Sequence, residues 1–112
     1  MKSLALLALF VAANAAAHHG WSEYDANRPL RLEGVIQESG YTHPHGFVTL
    51  KTADKTWTAV LAPPTRMENR GLAKDMLNPG GRATVVGYPN RDKPEEMRAE
   101  RIVIGDKTIE LR

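Results

Sequence analysis

From Leu30 onward apolar and polar residues alternate singly: Leu30, Leu32, Gly34 and Ile36 fall on one side, Arg31, Glu33, Val35 and Gln37 on the other. A period of two with one apolar face is the pattern of a half-buried strand. Gly34 inside the run predicts a bend or bulge, which a curved sheet requires. Two more β-rich runs, Phe47 to Thr52 and Lys55 to Ala62, flank Ala53-Asp54 as in a hairpin, with Trp57 a candidate core residue. Pro63-Pro64 ends the strand character. Thr65-Arg66-Met67-Glu68 then matches the S/T-x-x-E capping box, predicting Thr65 as N-cap of a short helix over Arg66 to Arg70 that Gly71 stops. A second helical turn is expected at Lys74 to Leu77, and Asn78-Pro79-Gly80-Gly81 is a turn. Strands follow over Ala83 to Tyr88, Met97 to Ile104 and Thr108 to Leu111. Pro89-Asn90 breaks the first of these, Gly105-Asp106 links the last two, and Asp92 to Glu96 reads as a solvated loop whose charges need no function.

Three strands, a short helix, then two or three strands is the order of the OB barrel, in which the helix plugs the barrel between its third and fourth strands. The expected fold is therefore all-β: a small five- to six-stranded OB-like barrel over residues 30–112. A split β-sandwich of the same strand count is the alternative.

The pattern upstream differs. Lys2 and Ser3 precede an apolar run from Leu4 to Ala13, then Asn14 and Ala15-Ala16-Ala17. One positive charge, a short apolar stretch and an A-x-A site read as a secretory signal peptide over residues 1–17, too short to span a bilayer. Residues 18–29 form an N-terminal arm, with Trp21 and Tyr24 expected to pin it to the barrel. The expected location is periplasmic or secreted.

Composition narrows the function. The chain has 112 residues, 42% apolar and 25% charged, room for one domain and not for a large cofactor-binding fold. Fifteen basic and 13 acidic residues are spread along it, and Lys2 leaves with the signal, so nucleic acid is not an expected partner. The absence of cysteine excludes disulfides, thiolate metal sites and Cys nucleophiles. The serines outside the signal, Ser22 and Ser39, lack a nucleophile context, and Glu33, Glu38 and Glu68 fit surface positions; no enzymatic activity is expected.

Four histidines remain, in two pairs. Cleavage after Ala17 makes His18 the first residue, placing an α-amine and an imidazole together, a chelate suited to Cu(II) and its tetragonal nitrogen coordination. A further nitrogen is available from His19, or from His43 and His45 in Thr42-His43-Pro44-His45-Gly46, where an extended backbone places the two side chains on one face. Cleavage after Ala15 instead leaves Ala16-Ala17-His18, a generic square-planar site for Cu(II) or Ni(II). A solvated His-Pro-His turn and a frayed His-His terminus look the same in sequence. Met67, Met76 and Met97 suit Cu(I) as soft ligands but are expected to serve as packing.

Several blocks resemble a known family. Ala17-His18-His19-Gly20-Trp21 with Tyr24-Asp25-Ala26, Leu32-Glu33-Gly34-Val35-Ile36, His43-Pro44-His45, Leu61-Ala62-Pro63-Pro64, Arg70-Gly71-Leu72, Leu77-Asn78-Pro79-Gly80 and Val86-Gly87-Tyr88 fall in the order seen in the small exported proteins of domain-of-unknown-function family 6152. The resemblance implies export and a small β-barrel and carries no assigned activity. His18, His19 and His45 match its pattern, whereas His43 stands where the family has Asn.

The expectation is a non-enzymatic barrel that binds a transition metal, copper first, through His18, His19, His43 and His45, for buffering or delivery. The alternative is a metal-independent module for a small ligand, glycan or protein, with an exposed aromatic patch around Tyr41, Phe47 and Trp57. A structural envelope subunit, with a large exposed apolar surface, is a third reading.

Overall fold

A computed structural model describes residues 20–112 of the chain. The proposed signal over residues 1–17, and His18 and His19, lie outside the described residues. Six strands form one sheet: β1 (Leu30–Gly40), β2 (Phe47–Lys51), β3 (Thr56–Val60), β4 (Arg82–Pro89), β5 (Glu96–Ile104) and β6 (Lys107–Glu110). A helix, α1 (Pro64–Asn69), and 3-10 turns at Trp21–Glu23 and Lys74–Leu77 complete the described elements. The sheet order is β3-β2-β1-β4-β5-β6, and β3 also pairs in parallel with β5, closing five strands into a barrel and leaving β6 as an added edge. That closure excludes the split sandwich.

β1 serves two neighbours. Leu30 to Val35 pair with β4, and Val35 to Gly40 pair with β2, so the strand must turn a corner near Val35. Gly34 sits at that corner, where an added Cβ would stand 2.2 Å from the Lys51 carbonyl oxygen. A second break in register, between Ile36 and Glu38, adds curvature.

Alternation decides what faces inward. Ile36, Val48, Leu50, Val85, Met97 and Ile102 are fully buried in the barrel interior, and Met67 and Leu77 from the segment between β3 and β4 join the same cluster. The helix start differs from the sequence expectation. Pro63 is the N-cap and Pro64 the first helical residue, so the fixed proline φ sets the helix and Thr65 lies inside it, exposed, with no side-chain cap bond. The stop at Gly71 is as expected: φ is +89°, its N–H donates to the Glu68 carbonyl at 3.1 Å, and Leu72 N–H donates to the Met67 carbonyl at 2.8 Å. Among the described residues no helix is long and apolar enough to cross a membrane.

Candidate functional site

The described part of the arm is held on the outside of the barrel. Tyr24 forms a bridge with Asn90, Asp25 N–H donates to the Pro89 carbonyl at 2.9 Å, and Arg91 N–H donates to the Glu23 carbonyl at 2.9 Å. The buried Tyr24 hydroxyl donates to Glu96 Oε2 at 2.6 Å, and Asn90 Nδ2 donates to the same oxygen at 3.1 Å. Burial first, then this hydrogen bond and the Glu96 charge, push the Tyr24 phenol well above its usual range. Trp21 meets Tyr24 and Tyr88 edge-on, with the guanidinium carbons of Arg98 and Arg112 at 4.5 and 4.4 Å from its ring centre. Both aromatic residues of the arm thus pin it, as expected.

Glu96 corrects one expectation. It belongs to β5 rather than to a solvated loop, is half-buried, and carries a defined task in holding Tyr24 and Asn90. Its position follows from the seam of the barrel. Thr58 pairs with Glu96, Ala59 with Met97 and Val60 with Arg98. Ala59 and Met97 are fully buried inside, so their alternating neighbours Glu96 and Arg98 face outward. Burial, reinforced by the charges of Arg66 and Arg112, draws the Arg98 guanidinium below its usual range.

A cleft of about 330 Å³ opens over this seam. The arm contributes Glu23 and Tyr24, the β1–β2 loop Pro44 and His45, and the barrel Val60, Glu96 and Arg98, with Lys93 at the margin. The loop carrying His45 is fastened by Gly46, whose N–H donates to the Ala62 carbonyl at 2.9 Å and whose carbonyl accepts from Leu61 N–H at 2.9 Å. His45 is half-buried, and its Nδ1 is buried with no hydrogen-bond partner among the described residues. Leaving such an atom unsatisfied costs about 1–3 kcal/mol, so a native ring nitrogen in this state calls for an explanation.

His43 goes elsewhere. It is exposed and does not line the cleft, so the structure does not bring both histidines of the His-Pro-His turn into it. Among the described residues no three His, Asp or Glu side chains are grouped to hold a metal ion. Met67 and Met97 are fully buried, and Met76 packs on the core, which is the packing role expected of them.

The three rings suggested as one aromatic patch do not share a face. Trp57 pairs with the inward Leu50 and packs on the core, whereas Phe47 pairs with Val60 and Gly40 on the outer face. Tyr41 also packs against the core, and its hydroxyl donates to the Leu72 carbonyl.

A family of unknown function, DUF6152, matches the chain over residues 6–98. The chain belongs to this family. Membership covers the arm, the cleft and the barrel as far as Arg98. No curated protein matches the chain. Among solved structures, the crystal structure of TiaS in complex with a tRNA and ATP is similar at a TM-score of 0.54 and 22% identity, over 80% of this chain and 20% of that one. The ZRD-deleted mutant of TiaS in complex with agmatine is similar at a TM-score of 0.54 and 22% identity, over 71% of this chain and 22% of that one. The chain spans about a fifth of these proteins, and at this identity the likeness shows the barrel fold alone.

Proposed function

We propose that this DUF6152 protein is exported to the periplasm or beyond, where it acts by binding rather than catalysis. It holds a transition metal, copper first, between its N-terminal histidines and His45, to buffer the ion or hand it on. The observation that carries this reading is the His45 imidazole, which lines the cleft and whose Nδ1 finds no hydrogen-bond partner among the described residues. Imidazole nitrogen is a preferred Cu(II) ligand. Two further features support it. The arm is pinned at Trp21 and Tyr24, and Glu23 and Tyr24, a few residues after His18 and His19 in the sequence, line the same cleft as His45. The cleft also balances Glu23 and Glu96 against Lys93 and Arg98, so a cation does not enter a field of one sign. Of the four histidines, His43 is the dispensable one.

The test is calorimetric titration of the exported protein with Cu(II), after its intact mass has fixed the first residue. Cleavage after Ala17 and tight binding of one ion are expected. His18→Ala, His45→Ala and a form with one extra N-terminal residue are each expected to bind at least tenfold more weakly, while His43→Ala binds as the parent does. Equal, weak binding by all of these forms would refute the site.

A further inference from the structure

A second cleft, sharing no lining residue with the one at His45 and set on the other side of the loop between β4 and β5, encloses about 520 Å³. That volume lies within the range of small-molecule sites. Its floor is apolar: Leu30 and Trp57, both packed on the core, are joined by Pro89 and Pro94. Its rim is cationic, with Arg28, Lys55 and Arg91 set against the single carboxylate of Asp92. Two of these cations are held in place. Lys55 Nζ donates to the Pro94 carbonyl at 2.7 Å and stands 4.2 Å from the Trp57 ring centre, and Arg91 Nε donates to the Ser22 carbonyl at 3.1 Å. Side chains ordered before binding lose less freedom when a ligand arrives.

An apolar floor under a cationic rim selects a molecule that has both a ring and a negative charge. Guanidinium groups present paired N–H donors that match a planar carboxylate. We propose that this cleft binds a small ring-bearing carboxylate, with the ring on the floor beside Trp57 and the carboxylate among Arg28, Lys55 and Arg91. An aromatic acid and a sugar acid share that chemistry. The site is independent of the metal reading, because none of the residues lining the His45 cleft takes part.

Calorimetric titration of the exported protein with benzoate and with galacturonate, beside the neutral benzamide and galactose, tests the proposal and separates the two sources. One acid is expected to bind saturably, shifting the Trp57 indole N–H resonance, and its neutral counterpart to bind at least tenfold more weakly. Arg28→Ala and Lys55→Ala, both at exposed positions, are each expected to weaken the acid about tenfold, as loss of a hydrogen bond to a charged group does. No binding of either acid at millimolar concentration overturns the proposal. So does equal binding of the neutral compounds, or binding that leaves Trp57 and both variants unaffected.

Discussion

Tyr24 concentrates the logic of the arm in one side chain, because its ring is buried and its hydroxyl is spent on Glu96. Its raised phenol pKa has a definite sign in stability. Below about pH 10 the phenol is neutral in both folded and unfolded chains and its contribution is complete. Above that, the unfolded chain releases the proton first, so stability falls as pH climbs toward the folded-state value. Tyr41 and Tyr88 are shifted the same way, Tyr41 chiefly by burial and Tyr88 chiefly by its hydrogen bond to Glu100. Urea unfolding at about pH 8 and about pH 11 is therefore expected to show a drop that Tyr24→Phe makes shallower, while Tyr24→Phe loses about 1.5–3 kcal/mol at the lower pH. An unchanged slope in Tyr24→Phe would show that the phenol is not the source. Gly87 makes the complementary case for a residue whose value is its lack of a side chain. An added Cβ would stand 1.8 Å from the Arg98 carbonyl oxygen, at the register break between β4 and β5. Gly87→Ala is expected to destabilise by about 1–3 kcal/mol or more, read from chemical denaturation.

Among the elements, α1 shows most clearly where a sequence pattern and its physical realisation part company. The capping box was legible in Thr65 and Glu68, but the prolines at 63 and 64 set the helix start two residues earlier and displaced Thr65 from the N-cap. Thr65→Ala should accordingly change thermal stability by no more than about 0.5 kcal/mol, where a working cap would cost about 0.5–2 kcal/mol. Met67 is the opposite: fully buried, in the core cluster, and the carbonyl that caps the helix end. Met67→Ala is expected to cost about 2–5 kcal/mol, and a loss below about 1 kcal/mol would mean that the plug is not part of the core. The strands were readable because their signals are local. Leu30 to Ile36 alternate, and Asn78-Pro79-Gly80-Gly81 and Gly105-Asp106 punctuate. What escaped reading was the seam, since parallel pairing of Thr58 to Val60 with Glu96 to Arg98 joins segments far apart in the chain and leaves no periodic trace in either. Glu96 and Arg98 were missed for that reason. They look like a loop charge and an ordinary strand cation until β3 is placed beside β5.

For the molecule as a whole, every strand pairing that closes the barrel lies within residues 30–112, whereas the arm adds contacts to its exterior. A chain beginning at Leu30 is expected to fold with unchanged far-ultraviolet dichroism but a lower melting temperature, reflecting about 1.5–3 kcal/mol for the buried Tyr24 ring. Failure of that shortened chain to fold would make the arm a structural strand in all but name. The seam has one more consequence, in the order of events during folding. Its three residue pairs close a loop that spans the helix, β4 and the turn between them, so closing it costs more chain entropy than the β2–β3 or β5–β6 hairpin does. The same three pairs set Val60 beside Arg98 and Glu96 beneath Tyr24, which makes the wall of the His45 cleft a product of closure rather than of any hairpin. A chain still folding as it emerges presents strands without a binding site, and acquires the site only when β3 meets β5.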